Sequence, residues 1–452
     1  MKHVPLPERL AARTAALEDL IRHAVDTFQP AFGLRLWTGE RLGPPGGATL
    51  VLADPAGLAR LVLRPKIDTL IDLWMTKGID LESGSLFDIV EQRSAVRTKA
   101  ALRSLDKWRI ARALPSLFAL ARHHLKPEAV RKGVDADDSG SSAAAIQFHY
   151  DLSNRFYQTF LDRRMVYSCA YFDGWHDDID RAQEDKLEMI CRKLRLKPGD
   201  RLLDIGCGWG ALLIYAAQTY GVVGHGVTLS RAQFDLARER VEEAGLSDRV
   251  TIELKPFEAL DGTFDKIASI GMFEHVGFAH HDAYFAAVHR LLRPGGLYLH
   301  HTIARSAKKS AREFHRRRSS EYRALVRYIF PGGELDYIGH SLQKLEAHRF
   351  EVHDVENWRL HYGRTCRLWA QRLEANFADA VAEIGEPKAR LWLVYLVGCA
   401  LGFERGTAMI NQTLASKRSR SRPDLPPTRA DLYRPATSSF VGTNRSTVAK
   451  SG

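Results

Sequence analysis

Cysteine is scarce and scattered in this chain of 452 residues. The five cysteines, which include no C-x-x-C pair, are Cys169, Cys191, Cys207, Cys366 and Cys399. This spacing gives no support to a disulfide framework and argues against a zinc site built on thiolates, so we expect no metal ion. The reducing cytoplasm suits such a sequence best.

Long apolar runs are missing as well. No run approaches the roughly 20 residues that span a bilayer, and the longest, at 391–403, is typical of a buried helix. The first residues also lack the apolar core of a signal peptide. We therefore expect a cytoplasmic protein without a membrane span.

Acidic residues are outnumbered, since 65 lysines and arginines face 54 aspartates and glutamates and leave a net charge of +11. Such an excess serves nucleic acid or anionic lipid, and charge alone neither chooses between them nor excludes a merely solvated surface. Many cations fall in one segment, namely Arg305, Lys308, Lys309, Arg312, Arg316, Arg317, Arg318, Arg323 and Arg327.

Composition divides the chain into four parts. Residues 1–125 mix short strands and helices without a constellation of catalytic residue types, which is typical of an accessory domain. Residues 126–145 are mostly small and polar, as in a linker. The main domain occupies 146–416, and the Ser-, Pro-, Thr- and Arg-rich residues 417–452 are predicted to form a disordered basic tail.

The main domain alternates strands with helices. Its predicted strands lie near 202–206, 222–227, 250–254, 264–270 and 296–303, and its predicted helices near 211–220, 230–244 and 281–292. This spacing predicts an α/β fold with a parallel sheet covered by helices. Beyond the basic segment, the pattern predicts a largely helical finish to about residue 416.

Glycines follow the first of these strands at every second position, as Gly206, Gly208 and Gly210. A strand, a glycine turn and a helix let a ligand approach the backbone at the carboxyl edge of a parallel sheet. Dinucleotides and S-adenosylmethionine both use this geometry, and Ala211 at the last glycine of G-x-G-x-x-G is tolerated. The glycines alone do not choose, whereas Asp204 before the turn favours S-adenosylmethionine.

Side chains after the next two strands bear on the same choice. Many dinucleotide-binding enzymes end the second strand in a carboxylate that binds ribose. Here that strand ends at Thr228 and leads to Gln233, which offer only neutral hydrogen bonds. Phe257 and Glu258 follow the third strand, where a nucleotide base is commonly held.

Glu274 follows the fourth strand, at the edge of the sheet where ligands bind. It can act as a base, an orienting group or a metal ligand. The alternative is a purely structural role, as a helix-capping or ion-paired glutamate. The next strand ends in His300 and His301. Because side chains alternate along a strand, only one of these histidines faces the site.

Five motifs occur in a fixed order: Tyr167-Ser168-Cys169-Ala170-Tyr171-Phe172, Leu203-Asp204-Ile205-Gly206-Cys207-Gly208-Trp209-Gly210, Gly226-Val227-Thr228-Leu229-Ser230, Gly271-Met272-Phe273-Glu274-His275-Val276-Gly277 and His361-Tyr362-Gly363-Arg364-Thr365. Together they resemble the cyclopropane-fatty-acyl-phospholipid synthase family of S-adenosylmethionine-dependent lipid methyltransferases, related to the cyclopropane mycolic acid synthases. The match runs from about 146 to 416, and the residues before it resemble the accessory domain of longer bacterial members more weakly. The resemblance implies a Rossmann-like class I methyltransferase domain with a smaller N-terminal α+β accessory domain.

The resemblance also implies roles for single residues. The positions that match cofactor contacts are Tyr167, Ser168, Asp204, Gly206, Gly208, Gly210, Thr228, Gln233, Phe257 and Glu258. Those that match a catalytic pocket for a bicarbonate ion are Cys169, Glu274, His301, Ile303 (through its backbone) and Tyr362. Cys399 matches a further candidate catalytic cysteine, although apolar surroundings without an activating partner are typical of an inert buried thiol.

The implied reaction suits these residue types. An alkene is a weak nucleophile, so the methyl group must be held in line with it, and the carbocation that follows must be kept from water. Aromatic side chains offer an apolar lining, and their ring faces stabilise positive charge. The candidates are Phe148, Tyr150, Phe156, Tyr157 and Phe160. A bicarbonate ion held by Glu274, His301 and Tyr362 takes the proton whose loss closes a cyclopropane ring.

We therefore expect methylene transfer from S-adenosylmethionine to cis double bonds of unsaturated phospholipid acyl chains, by a cytoplasmic enzyme bound peripherally at the inner membrane surface. The basic segment, which is longer than is usual in the family, would contact anionic lipid. The sequence also departs from the usual Leu-Pro-Ser at Leu335-Asp336-Tyr337.

Several alternatives stay open. The same first step can end in a methyl-branched or methylene acyl chain, or act on another lipid. A nucleic-acid methyltransferase is suggested by charge alone and lacks an Asn/Asp-Pro-Pro-Tyr type motif, so no nucleic-acid partner is expected. A catalytically inactive lipid-binding protein is disfavoured by the presence of Cys169, Glu274, His301 and Tyr362 together. A homodimer is one option for the oligomeric state.

Overall fold

The computed structural model describes residues 8–91, 106–123, 152–420 and 425–433 of the chain. These ranges contain two sheets, each with its own helices. The predicted linker at 126–145 falls outside them. Within them, no helix combines the length and the apolar character needed to cross a bilayer.

A small mixed sheet organises the N-terminal residues. Its strands are β1 (Gly33–Leu36), β2 (Arg41–Leu42), β3 (Thr49–Leu52) and β4 (Ile79–Ser83). They stand in the order β2-β1-β3-β4, with β1 and β3 parallel and the outer pairs antiparallel. The accompanying helices are α1 (Glu8–Phe28), α2 (Pro55–Leu63), α3 (Ile67–Met75), α4 (Leu86–Glu91) and α5 (Lys107–Ala121). This mixed content agrees with the predicted α+β character.

Seven strands form the main sheet: β5 (Arg201–Ile205), β6 (Val223–Thr228), β7 (Val250–Leu254), β8 (Phe264–Ile270), β9 (Leu292–Arg305), β10 (Phe350–Asn357) and β11 (Ala408–Lys417). Their order is β10-β11-β9-β8-β5-β6-β7, and β9, β8, β5, β6 and β7 are parallel, as the sequence predicts. In the central strand β5, Leu202, Leu203 and Ile205 are fully buried. A parallel strand covered on both faces requires such a continuous apolar run.

The predicted helical finish is wrong at two places. Strands β10 and β11 run antiparallel, with β11 between β10 and β9, so the sheet is mixed rather than wholly parallel. Strand β11 carries polar side chains into the interior, among them Asn411, Gln412 and Thr413. Its sequence therefore lacks the apolar pattern by which a buried strand is normally recognised.

Helices connect and cover the strands of the main sheet. Those before β9 are α6 (Asn154–Gln158), α7 (Ile179–Lys193), α8 (Ala211–Tyr220), α9 (Arg231–Glu243) and α10 (His281–Leu291). Those after it are α11 (Ala311–Arg316), α12 (Ser320–Tyr328), α13 (Ile338–Ala347), α14 (Arg359–Ala375), α15 (Phe377–Ile384) and α16 (Glu386–Glu404). Short 3₁₀ turns lie at Phe257–Ala259, Phe273–His275, Phe278–His280 and Ala430–Tyr433.

One hydrophobic cluster connects the N-terminal unit to the main domain, and in it residues of α1, α3 and α5 join residues of α14 and α16. Arg390 of α16 donates to the carbonyl oxygens of Trp74 at 2.6 Å and Ile79 at 3.1 Å, and it pairs with Asp80 at 2.9 Å. A buried guanidinium with this many acceptors fixes the N-terminal unit against α16. The domain boundary at 126–145 stays a proposal, because those residues lie outside the described ranges.

The prediction of a disordered tail is wrong for residues 425–433. Leu432 is buried, Asp431 pairs with Arg195 at 2.8 Å, and the Leu432 carbonyl accepts from Arg192 at 2.9 Å. The buried Leu432 side chain and the ion pair of Asp431 hold this short segment. A prediction from average composition does not detect such single contacts. The rest of the tail beyond residue 433 lies outside the described residues.

Candidate active site

The glycine turn after β5 is left-handed at all three predicted glycines, with φ of 78° at Gly206, 55° at Gly208 and 81° at Gly210. At Gly206 a side chain has no room, because an added Cβ would lie 2.9 Å from the Cβ of Met272. Gly210 caps the start of α8. The turn therefore leaves open backbone at the carboxyl edge of β5, which suits close approach of a cofactor.

A buried polar cluster lies beside this turn. Lys186 of α7 is buried and donates from Nζ to Ser168 Oγ at 2.9 Å. Burial lowers the pKa of Lys186 to about 8, against the opposing charge of Asp162, and raises the pKa of Asp204 to about 7. Asp204 Oδ1 is buried with no partner among the described residues. An unsatisfied carboxylate oxygen next to a cation fits the polar end of a bound ligand.

Sequence reasoning missed Lys186. A signal was present in the sequence, because Ile179, Ala182, Lys186 and Ile190 recur at helical spacing. In the structure they form a buried face of α7. A lysine on the buried face of an amphipathic helix is rare unless it has partners. That pattern marks Lys186 as a functional candidate.

The remaining predicted cofactor residues sit after β6 and β7. Thr228 Oγ1 donates to Gln233 Oε1 at 2.9 Å, so these two neutral groups are engaged with each other. Phe257 packs edge-to-face on Tyr284 at 5.4 Å, and Glu258 is exposed. The carboxyl ends of β5, β6 and β7 thus bring the predicted positions to one edge of the sheet.

Glu274 lies in the 3₁₀ turn after β8 and is buried. Its Oε1 accepts from the Ile303 amide at 2.5 Å and from Thr302 Oγ1 at 3.2 Å. Its Oε2 is buried without a partner among the described residues, and burial raises the pKa of this carboxyl. The Ile303 backbone N–H, predicted to contact an anion, is therefore used by Glu274.

His301 is held by a chain of buried polar groups that the sequence did not reveal. Lys193 Nζ donates to Gln412 Oε1 at 2.7 Å, and Gln412 Nε2 lies 2.8 Å from His301 Nδ1. Because lysine has only donors, it fixes the carbonyl side of the amide, and the amide NH₂ must then donate to Nδ1. The proton of the imidazole is therefore on Nε2.

The environment of His301 keeps it neutral, since burial lowers its pKa well below the ordinary value. Its Nε2 is buried with no partner among the described residues. His300 instead contacts the Tyr298 hydroxyl at 2.9 Å and the ring of Phe273. The two histidines therefore have separate surroundings, as strand alternation predicts.

Cys169 and Tyr362 are the other two side chains of the predicted pocket. The Cys169 thiol donates to the Ala170 carbonyl at 3.2 Å and lies 3.8 Å from the carbonyl of Trp358, whose ring meets His301 edge-to-face. Tyr362 stacks on Phe403 at 4.4 Å. Burial raises the pKa of both Cys169 and Tyr362 well above their ordinary values, so both groups stay protonated and neutral and can donate a hydrogen bond.

Aromatic side chains surround this region. Phe156, Tyr157 and Phe160 are fully buried and pack against Trp392 at 5.1, 5.7 and 5.9 Å between ring centroids. Tyr167 joins the cluster through its hydroxyl, which lies 3.0 Å from that of Tyr395. The other predicted lining residues, Phe148 and Tyr150, lie outside the described ranges.

Cys399 lies in helix α16 and packs against the hydrophobic cluster that contains Tyr362, and burial raises the pKa of its thiol to about 12. A thiol with that pKa supplies almost no thiolate nucleophile near neutral pH. We expect Cys399→Ala to keep turnover within about two-fold of the parent protein. Steady-state kinetics would check this, and a loss of two orders of magnitude with intact folding would restore Cys399 as a nucleophile.

The sheet order, the glycine turn on its central strand and the buried carboxylate before that turn define the class: an S-adenosylmethionine-dependent methyltransferase of Rossmann-like fold. Residues 138–413 match the family model described as mycolic acid cyclopropane synthetase. The chain belongs to this family.

Individual relatives agree with that assignment. A probable fatty acid methyltransferase of Pseudomonas putida is 38% identical over 412 residues, which are 89% of this chain and 96% of that protein. The cyclopropane-fatty-acyl-phospholipid synthase of Escherichia coli K12 is 40% identical over 269 residues, 60% of this chain and 66% of that enzyme. The crystal structure of mycolic acid cyclopropane synthase CmaA1 complexed with SAH and CTAB superposes with a TM-score of 0.57 at 37% identity, covering 62% of this chain and 100% of that one.

Proposed function

We propose that this protein transfers a one-carbon unit from S-adenosylmethionine to the cis double bond of unsaturated phospholipid acyl chains and closes a cyclopropane ring. The observation that carries the proposal is a pair of buried atoms without partners among the described residues, the acceptor Glu274 Oε2 and the donor His301 Nε2. Met272, two residues before Glu274, lies against the Gly206 backbone and connects this pair to the glycine turn. Relatives named as cyclopropane synthases support the chemistry.

The cofactor is expected at the edge formed by β5, β6 and β7. When bound, S-adenosylmethionine supplies an electrophilic methyl group. Lys186 and Ser168 are suited to its anionic carboxylate, and Asp204 to its cationic amino group. Thr228 and Gln233 would exchange their mutual bond for contacts to ribose.

The aromatic cluster of Phe156, Tyr157 and Phe160 excludes water from the acceptor side. A dry site protects the positive charge that develops on the acyl chain, and aromatic faces stabilise that charge. These rings are already packed against one another and against Trp392, so little reorganisation is required of them.

Glu274 and His301 are proposed to hold a bicarbonate ion that accepts the proton lost at ring closure. Bicarbonate carries both a hydroxyl donor and anionic acceptors, so it matches an unpaired carboxylate oxygen on one side and an Nε2–H on the other. Tyr362 adds a neutral donor, and Cys169 would add a second one by exchanging its bond to the Ala170 carbonyl for one to the ion. A protein carboxylate in direct contact with the acyl cation would risk alkylation, whereas an exchangeable anion avoids that loss.

The basic segment supports docking on anionic lipid, but through fewer residues than the sequence indicates. Arg305 stacks on Phe314 at 3.5 Å and Arg327 pairs with Asp68 at 2.9 Å, so these two are structural. Within the basic segment, the exposed cations that have no ion-pair partner among the described residues are Lys308, Lys309, Arg312, Arg316 and Arg323. We propose peripheral binding of a cytoplasmic enzyme at the inner membrane surface through these side chains.

Reversing charge at these exposed positions tests the docking surface. A variant with Lys308, Lys309, Arg312 and Arg316 each changed to Glu should bind anionic vesicles at least about a hundred-fold more weakly in low salt, because each cation contributes roughly 1 kcal/mol near such a surface. Vesicle co-sedimentation measures this. The control reverses Arg231, Arg238, Arg249 and Lys255, around α9 and β7, for the same change in net charge. Equal vesicle binding by both variants and the parent protein would contradict lipid docking. The segment would then be an ordinary solvated surface.

Product analysis tests the function itself. The full chain is incubated with S-adenosylmethionine and vesicles of a cis-unsaturated phospholipid, and the released fatty acids are weighed by mass spectrometry. The proposal predicts a gain of one CH₂ with loss of the double bond and cyclopropane protons in the NMR spectrum. No mass change, with cofactor demonstrably bound, would contradict the proposed acceptor.

A methyl-branched or methylene fatty acyl product is the second candidate. It is favoured by the Pseudomonas putida relative, which matches most of this chain and is named a probable fatty acid methyltransferase. The first chemical step is the same in both cases. A methylene branch formed by proton loss from the transferred methyl group, or a saturated methyl branch formed when a hydride donor is also supplied, would select this alternative.

A further inference from the structure

A second polar cluster lies behind the Glu274 turn and takes no part in the proposed reaction. It consists of His281 at the start of α10, Asp336 before α13 and His340 in the first turn of α13. One potential ligand atom from each residue lies within 4.8 Å of the others. Asp336 and His340 are four residues apart, whereas His281 comes from a segment more than fifty residues earlier.

His281 is the feature that needs an explanation. It is fully buried, and neither ring nitrogen has a hydrogen-bond partner in the part of the chain that the structure describes. Its ring lies 4.2 Å from that of Phe273 and 4.9 Å from that of Phe278, so packing holds the imidazole in place. Buried polar groups are nearly always paired, and two orphan nitrogens on one ring are therefore unusual.

The other two members, Asp336 and His340, are hydrogen-bonded to each other, and an ion would replace that bond. Asp336 is buried, and its oxygens lie 3.0 Å from His340 Nδ1. Ser341 Oγ donates to Asp336 Oδ2 at 2.8 Å, which orients the carboxylate from outside, as is usual around bound metals. His340 is only partly buried and offers a path for an ion to enter.

We propose that His281, Asp336 and His340 bind a divalent transition-metal ion, for which zinc is the best-suited probe. Two imidazoles and one carboxylate form a donor set for ions of intermediate softness, and a water molecule would complete a tetrahedral site. Zinc holds such ligands at about 2.0–2.2 Å, which puts them roughly 3.4 Å apart, so the cluster needs to close by about 1 Å. No metal ion was expected from the sequence because it has no paired cysteines. The donor set proposed here contains no cysteine, so that expectation does not apply to it.

The ion would join two segments that border the active site. The Glu274 carbonyl accepts from the Glu334 amide at 2.9 Å, and the Glu334 carboxylate in turn accepts from the Phe278 amide at 2.9 Å. Asp336 accepts from the Arg305 amide through its backbone carbonyl at 2.9 Å. A metal bridging His281 to Asp336 would therefore stiffen the turn that carries Glu274 and the end of strand β9.

Metal content and thermal stability test the proposal without any assay of turnover. The full-length protein is stripped with a chelator and titrated with zinc chloride against a chromophoric competitor, and Tm is followed by calorimetry. We expect about one high-affinity zinc ion per chain and a Tm increase of several degrees, with magnesium giving neither, because imidazole ligands disfavour that ion.

Three variants locate the ion. His281→Phe keeps the ring packing but removes both nitrogens, and it should abolish high-affinity binding together with the Tm increase. His340→Gln serves the same purpose at a partly exposed position, should His281→Phe fail to fold. His176→Gln is the matched control, because His176 belongs to the other cluster with metal-ligand spacing, with Asp173 and Asp185. Absence of high-affinity zinc, or its loss only in His176→Gln, would overturn the assignment while leaving the proposed function untouched.

Discussion

Glu274→Gln is expected to lower turnover by about three orders of magnitude while S-adenosylmethionine still binds with the parent affinity. The amide keeps the shape of the carboxyl, and its oxygen can still accept from Ile303 and Thr302. The group facing the pocket, however, changes from the acceptor Oε2 to an NH₂ donor. In the proposed site, a donor at this position removes both an acceptor and the negative charge that would orient the bicarbonate ion. Turnover on unsaturated vesicles and calorimetric titration with the cofactor measure the two effects separately.

A matched control for this variant is Glu253→Gln. Glu253 lies on strand β7 and pairs with His225 and Lys255, away from the Glu274 turn. It should leave turnover close to that of the parent protein. Near-normal turnover of Glu274→Gln would refute the role proposed for this carboxyl, and parallel loss in both variants would point to a general effect of charge or stability.

Gln412→Glu should reduce turnover by about two to three orders of magnitude, through the tautomer of His301 rather than through direct contact. A carboxylate has no donor, so one oxygen would accept from Lys193 and the other would accept from His301. The imidazole proton would then move to Nδ1, and Nε2 would become an acceptor facing the pocket. Gln412 is thus a positioning residue, and the cofactor KM should change little.

Nitrogen NMR of the histidine side chains distinguishes this mechanism from a simple loss of structure. The variant should show His301 protonated at Nδ1, whereas the parent protein should show it protonated at Nε2. Thr413→Val is the control on the same strand, because the Thr413 hydroxyl is buried without a partner among the described residues. An unchanged tautomer with reduced turnover would contradict the proposed chain from Lys193 to His301.

Local signals in the sequence predicted the framework of the site. The apolar run of β5 and the three glycines after it lie within one short stretch, and their geometry follows from the residue types alone. Glu274 and His301 were predicted as site residues in the same way, since each follows or ends a predicted parallel strand and such ends meet at one edge of the sheet.

The groups that hold these side chains could not be found in that way. Lys186 and Lys193 come from helix α7, which precedes β5, the first strand of the main sheet. Gln412 comes from β11, whose polar sequence was predicted to be part of a helical finish. Their roles depend on burial and on contacts between distant segments. The same reason hid the cluster of His281, Asp336 and His340, whose members look unremarkable one at a time.

The most direct test of the account uses S-adenosylmethionine carrying three deuterium atoms on its methyl group. The acyl product should retain two of them, because closing the ring removes one hydrogen isotope from the transferred methyl group at the site formed by Glu274 and His301. A saturated product that retains all three deuterium atoms would contradict ring closure. An unlabelled acyl chain from protein that binds the cofactor would contradict methyl transfer to this lipid.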